Sequence, residues 1–239
     1  MSAPAAGILY LIPTQLAEPV NAKLILPSIV IATALRLDYF VAENAKTARA
    51  FLKAIGIARP LAEVTIQELN KHASNEDMRE LLSPLKAGHD MGLVSEAGAP
   101  AVADPGALVV AAAHASGIRV APLVGPSSLL LGLMASGLNG QNFAFHGYLP
   151  QDKVARGKAI QALEQESQQR KMTQLFIETP YRNQALFADL LITLAPTTRL
   201  CVASDLTGAT ERIVTETVAQ WRTREVELKK SPTLFLFLA

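Results

Sequence analysis

Short apolar runs alternate with longer stretches of helical spacing along this chain. Ile8 to Pro13 (ILYLIP) is almost continuously apolar and reads as a buried strand. Pro27 to Arg36 reads as a helix and Tyr39 to Glu43 as a short second strand. From Ala45 to Ile55, Ala48, Phe51, Leu52 and Ile55 share a helical face, with Lys46, Arg49 and Lys53 largely opposite. Ser74 to Lys86 is expected to be one amphipathic helix carrying Met78, Leu81, Leu82 and Leu85 on one side. Ser74 and Asp77 stand at capping-box spacing. Met91 to Val94 reads as a strand, Gly106 to Ala115 as a helix stopped by Gly117, and Arg119 to Leu123 as a strand.

The second half begins with a strongly apolar helix, Leu129 to Ala135, followed by a short strand, Phe143 to His146. Gly147 to Lys153 reads as an exposed loop and Val154 to Gln168 as a polar helix. Then come strand Gln174 to Glu178, helix Arg182 to Leu194, and strands Leu200 to Ser204 and Ile213 to Val218. A short helix near Trp221 and a last strand, Thr233 to Leu238, close the pattern. Strand–helix alternation in the first half argues for a mainly parallel sheet covered on both faces. The later strands have little helix between them, so the second sheet is expected to be mixed. The fold class is therefore α/β, with two α/β domains (residues 1–123 and 124–239), a cleft between them and a hinge near Leu123 to Pro126. There is no internal repeat and no low-complexity linker.

Composition narrows the function. Half of the 239 residues are hydrophobic, and the formal net charge is +1. No strong global field favours nucleic acid or an acidic membrane, although a local patch can suffice. The single cysteine, Cys201, excludes a disulfide within the chain and a thiolate zinc cluster; it reads as a buried strand thiol. His72, His89, His114 and His146 show no short metal-ligand spacing, so no metal is expected. No apolar run approaches the roughly 20 residues that span a bilayer, and no basic segment precedes an apolar core at the start. A cytoplasmic protein without membrane contact is the expectation.

Candidate chemistry concentrates in Met91 to Gly106, MGLVSEAGAPAVADPG. A buried strand opens there into Glu96-Ala97-Gly98-Ala99-Pro100, a turn of so little bulk that backbone amides can approach a ligand closely. Asp104 reads as a helix N-cap with Pro105 in the first helical position. Open α/β sheets bind ligands at such strand ends. Val124-Gly125-Pro126-Ser127-Ser128 offers a second small-residue loop, with amides and two hydroxyls at a helix start. Ser127 suits either an N-cap or an anionic ligand group.

These residues resemble the tetrapyrrole-methylase superfamily of S-adenosylmethionine (SAM) methyltransferases. The style is that of the branch that methylates a cytidine ribose 2′-oxygen in small-subunit rRNA, in a divergent subgroup. Ser95 to Pro100 with Asp104-Pro105-Gly106 resembles the family's central motif, and Val124 to Ser128 its Pro-Gly-Pro loop with Val124 in place of the first proline. Glu43 to Arg49 resembles the acidic-to-arginine segment after the second strand, and His72 with Asn75-Glu76 a histidine-asparagine-glutamate stretch. Phe145 to Pro150, then Lys153 and Arg156, is similar to Gly-Phe-Leu-Pro with trailing basic residues. Glu178-Thr179-Pro180-Tyr181-Arg182 is similar to Glu-Ser-Pro-His-Arg, and Asp205-Leu206-Thr207 to Glu-Leu-Thr. The branch's Thr-Pro-Ile-Gly-Asn is replaced by Pro13-Thr14-Gln15-Leu16-Ala17-Glu18, without the glycine, and no C-terminal extension of the kind common in the branch is expected after the last strand.

The resemblance implies SAM as co-substrate. The implied cofactor-binding residues are Ser95, Glu96, Ala97, Gly98, Pro100, Gly125, Pro126, Ser127, Ser128, Glu178, Thr179, Asp205 and Leu206, with Pro232-Thr233 completing the second wall. A hydroxyl acceptor benefits from a general base. Glu43 and His146 are the catalytic candidates, beside Glu96 and Glu178; Glu43 also suits a helix-start acid, His146 a structural role and Glu96 a loop-fixing one. Lys153, Arg156 and Lys158, preceded by Tyr148, form either a phosphate grip or a solvated helix face. Leu129 to Leu133 is core or the interface of an expected homodimer. The expected activity is O-methylation of RNA, rRNA ribose first, or of a related nucleotide. C-methylation of a tetrapyrrole-like small molecule, or SAM binding without turnover, are the alternatives.

Overall fold

Apolar runs too short for helices pair side by side in two five-stranded sheets. The computed structural model describes residues 5–17, 21–70 and 75–239. Two units divide between Ser127 and Ser128, each built on its own sheet. Glu18, His72 and Ser74, and with Ser74 the proposed capping box, lie outside the described residues.

The first unit runs β1 (Ile8–Ile12), α1 (Ala22–Ile25), α2 (Ser28–Arg36), β2 (Tyr39–Ala42), α3 (Ala45–Ile55), β3 (Thr65–Glu68), α4 (Asn75–Leu81), α5 (Ser83–Lys86), β4 (Met91–Val94), α6 (Ala107–Ala115) and β5 (Arg119–Pro122). The strands lie in the order β3-β2-β4-β1-β5 and every pairing is parallel. Both faces are covered. Residues of α1, α2 and α3 pack with Ile12, Phe40 and Val94 on one side, and residues of α4, α5 and α6 with Leu9, Val41 and Leu93 on the other. The alternation of β1 and β4 side chains between these clusters is the period-two rule of a strand buried on both faces.

Local chemistry sets the element ends. Asn44 caps α3 by accepting from Lys46 N (2.8 Å), and Gly56 ends it in the left-handed conformation. The helix expected over Ser74 to Lys86 is instead two helices, because Pro84 has no N–H to continue the ladder. The helix after β4 also starts later than its sequence suggests, at Ala107 with Gly106 as cap. Asp104 holds the preceding turn instead, accepting from Gly106 N (2.5 Å) and Ala101 N (3.3 Å). Strand β3 and helix α1 were not legible in the hydrophobic pattern. Thr65–Glu68 is an edge strand with no buried residue, and Ala22–Ile25 is a single turn.

The second unit runs α7 (Ser128–Ser136), β6 (Phe143–Tyr148), α8 (Lys153–Arg170), β7 (Thr173–Glu178), α9 (Asn183–Thr193), β8 (Arg199–Ser204), β9 (Arg212–Thr217), α10 (Val218–Trp221) and β10 (Thr233–Leu238). Its order is β6-β7-β10-β8-β9, with β6–β7 parallel and the remaining pairs antiparallel, so the sheet is mixed as expected. The last strand is central. Phe235 and Phe237 join Phe176, Leu186, Leu190 and Trp221 in one core, burying of order 1.5–3 kcal/mol per ring. On the other face Leu234 meets α7 at Gly132, where a Cβ would stand 2.4 Å from the Leu234 Cδ2 atom. Cys201 is buried on β8, and burial pushes its thiol pKa up against a smaller opposing effect from Thr215. Gly147 and Tyr148, read from sequence as the start of a loop, belong to β6, and Leu149 is buried.

Candidate functional site

In the first sheet the chain leaves β1 toward β2 on one face and leaves the adjacent β4 toward β5 on the other. Diverging loops at neighbouring strand ends open a crevice, the usual ligand position in such sheets. Thr14, just past β1, donates its N–H to Gly98 O (3.0 Å). Ser95, just past β4, donates its hydroxyl to the same Gly98 oxygen (2.7 Å) and lies 3.5 Å from the Thr14 hydroxyl. Gly98 has φ +73°, and an added Cβ would meet Leu16 Cδ2 at 2.7 Å and Pro126 O at 3.3 Å. Gly125 passes so close to Pro13 that a Cβ would lie 2.2 Å from its Cγ.

Three loops, after β1, β4 and β5, are thus folded onto one another through backbone and small residues. Ser95, Gly98 and Pro100 are buried there, whereas Glu96, Ala97 and Gly125 are exposed. Pro126 lies against Gly98; Ser127 follows it, and Ser128 opens α7. Ala101 and Ala103 adopt φ +65° and +56°, strain that the Asp104 carboxylate helps to hold. Thr14 and Leu16, in the segment that departs from the family pattern, are integral to this cradle.

The same strand-end edge carries acidic groups around the start of α3. Glu43 is half-buried just after β2. Glu68, at the end of β3, accepts from Ala45 N (2.8 Å) at the helix N-terminus. Glu96 accepts from the Thr47 hydroxyl (2.6 Å), which ties the loop after β4 to α3.

In the second unit, Thr233 is the register partner of both Glu178 and Ser204, which brings three strand ends into line. The Glu178 carboxylate is buried, accepts from Thr179 N (2.7 Å) and pairs with Arg182 at 2.7 Å. Asp205, at φ +53°, accepts from Thr210 N (2.9 Å) and its hydroxyl (2.7 Å); Leu206 beside it is buried. Asn183 is fully buried and donates to Ser231 O (2.8 Å) and Thr233 Oγ1 (3.0 Å), while Ser204 and Thr233 hydroxyls lie 3.0 Å apart. These side chains mostly hold the loops that carry them, leaving backbone and apolar surface to line the edge.

His146 does not join that row. Its Nε2 hydrogen-bonds with Oε1 of the buried Gln174 (2.5 Å). Arg156 corrects both sequence readings of the basic cluster, phosphate grip and solvated helix face alike. It is buried, donates through Nε (2.7 Å) and Nη2 (2.5 Å) to Asp189 Oδ2, and caps Pro150 O and Gln151 O. Its guanidinium holds the chain after β6 and faces no solvent phosphate. Lys153 and Lys158 are exposed.

Residues 30–221 match the family described as Tetrapyrrole (Corrin/Porphyrin) Methylases. The chain belongs to this family. Among curated relatives of this tetrapyrrole methylase, Ribosomal RNA small subunit methyltransferase I of Xylella fastidiosa (strain Temecula1) is 36% identical over 77% of the chain and 64% of the relative. The protein of the same name from Synechocystis is 33% identical over 84% of the chain and 67% of the relative. The chain therefore spans about two thirds of the length of these relatives. Among solved structures, a diphthine synthase superposes with a TM-score of 0.64 at 14% identity, covering 98% of this chain and 90% of that one. The methyltransferase CobJ gives 0.62 at 15%, covering 98% and 94%. These last two establish the fold.

Within this tetrapyrrole methylase, sequence reasoning did not single out Thr47 or Asn183. Each acts through a partner far away in sequence (Glu96 and Thr233, 49 and 50 residues distant), so no local spacing announces it. Among the described residues no helix is long and apolar enough to cross a membrane, and no three His, Cys, Asp or Glu side chains cluster to hold a metal ion.

Proposed function

We propose that this chain is a SAM-dependent methyltransferase that methylates a ribose oxygen of rRNA. The observation that carries the reading is the backbone cradle of Ser95 to Pro100 and Gly125 to Ser127 on Pro13 and Thr14, in a chain whose relatives are named rRNA methyltransferases. SAM presents an adenine face, a ribose diol and a zwitterionic tail, which suit a small-residue slot with a few fixed hydrogen bonds. The amides of the first-unit loops meet the ribose and methionine portions. In the second unit, Glu178-Thr179 and Asp205-Leu206 are the further candidate SAM contacts.

Methyl transfer from a sulfonium is an in-line displacement, accelerated chiefly by alignment and desolvation. The hydroxyl proton passes to Glu43, which stands on the same strand-end edge as the cradle. His146 is the second candidate base. Glu43→Gln is expected to lower kcat by about 10²–10⁴ with SAM affinity retained, and His146→Asn to lower it far less. The reverse ranking moves the role to His146. The exposed Leu130 and Met134 of α7 support a homodimer, which light scattering in solution would read directly. The protein is assigned to the cytoplasm.

Calorimetry with SAM and with its demethylated product tests the shared premise; no binding of either overturns it. Labelled-methyl transfer onto total RNA and onto a small-molecule extract then separates the acceptors. Label in RNA ribose supports the proposal. Label in a tetrapyrrole-like carbon acceptor, or tight SAM binding with no transfer, replaces it.

A further inference from the structure

Two large aromatic side chains stand in solvent at the strand-end edge of the second sheet. Tyr148 is 61% exposed at the end of β6, and Tyr181 is 82% exposed just after β7. The strands are parallel neighbours, and Tyr148 pairs in register with Ile177, four residues before Tyr181. The placement of Tyr148 is built. The β6–β7 register shifts between Phe145 and Tyr148, where Gly147 adopts φ +64°. That bulge puts Tyr148 on the sheet face of Ile177, away from the face where His146 meets Gln174. The chain just beyond is clamped by the buried Arg156 through Pro150 O and Gln151 O.

A cation flanks the Tyr181 ring, and another follows Tyr148 by five residues in the chain. The Lys230 ammonium lies 5.5 Å from the Tyr181 ring centroid, Lys229 is exposed beside it, and Lys153 is exposed at the start of α8. Of the carboxylates on these elements, Asp152 caps α8 and Glu178 pairs with Arg182, while Glu225 and Glu227 are exposed in the segment that carries Lys229 and Lys230. Exposed aromatic faces among cations are what unpaired bases on a phosphate backbone bind, by stacking on the rings and pairing phosphates with ammonium groups.

We propose that Tyr148 and Tyr181, with Lys153 and Lys230, form a stacking platform for unpaired bases of an RNA acceptor. This deepens the proposed reaction and rests on it. Arg156, read from sequence as part of either a phosphate grip or a solvated helix face, acts here by fixing the segment that follows Tyr148.

The test is binding of a fluorescent mixed-sequence single-stranded RNA by the full chain, with label transfer from SAM to total RNA read in parallel. Tyr148→Ala and Tyr181→Ala are each expected to weaken RNA binding by about 5- to 100-fold, with melting temperature and SAM affinity unchanged. Tyr→Phe at either position keeps binding, because the ring plane remains. Lys230→Ala reduces the salt dependence of binding by about one phosphate contact. RNA binding by both alanine variants at wild-type strength overturns the platform while label transfer leaves the reaction standing. RNA binding that falls with the tyrosines but without label transfer keeps the platform and overturns the reaction. Equal affinity for RNA and heparin, insensitive to both tyrosines, shows a general polyanion surface and overturns the platform.

Discussion

The two sheets present their strand-end edges in different materials. In the first unit the edge is walled by backbone: Gly98, Gly125 and Pro126 pack against Pro13, Thr14 and Leu16, and the side chains involved are small or bonded to main-chain oxygen. In the second unit the edge is held by side chains, with Glu178 on Arg182, Asp205 on Thr210, Asn183 on Thr233 and Arg156 on Asp189. A backbone wall offers amides and carbonyls at fixed positions to a ligand and tolerates no added Cβ. A side-chain network spends its polar groups on itself and leaves Tyr148, Tyr181 and nearby lysines exposed.

Replacing polar groups should therefore unfold the second edge, while adding bulk should spoil the first. The largest effect is expected for Arg156→Ala, which strands the buried Asp189 charge and should cost about 3–5 kcal/mol of stability in a denaturant titration. A loss near zero would return Arg156 to the surface. Gly98→Ala comes next. Forcing an alanine to φ +73° costs about 1–2 kcal/mol and pushes on Leu16, with SAM affinity reduced alongside. Asp205→Ala removes two hydrogen bonds from an exposed loop and should cost about 1 kcal/mol, with the catalytic rate altered less than by Gly98→Ala.

The smallest effect lies away from both edges. Burial works to raise the Asp90 pKa, but hydrogen bonds from Arg36 and from Ile8 N–H outweigh it and hold the carboxyl below its ordinary value. Its stabilisation is present above the ordinary carboxylate pKa of about 4 and is lost as pH falls through the lower folded value. Asp90→Asn should therefore flatten the acid limb of the stability–pH curve and cost under about 1 kcal/mol at pH 7. An unchanged acid limb would remove Asp90 from the acid response.

The first edge was legible in sequence because small residues that sit together build it, Ser95 to Pro100 and Gly125 to Ser128. Helix α3 and strand β10 were equally legible, since one carries an unbroken helical apolar period between an Asn cap and a Gly stop and the other a continuous apolar run. The second edge was harder to read. Arg156 has the composition of a surface cation, and its partner stands 33 residues away. The β6 bulge that turns Tyr148 depends on pairing with β7, which no local spacing encodes. Pro84 was a local signal that ends α4, outweighed in the pattern by the apolar spacing across it.

The most direct measurement is a calorimetric titration of SAM into the wild-type chain and into Gly125→Val. A side chain at position 125 would stand 2.2 Å from Pro13 and open the cradle. The wild type is expected to bind SAM, and the variant to bind it at least about tenfold more weakly, a loss of about 1.4 kcal/mol or more, while staying folded. Wild-type affinity in Gly125→Val, or no binding by the wild type, would contradict a donor site built from the backbone of the first unit.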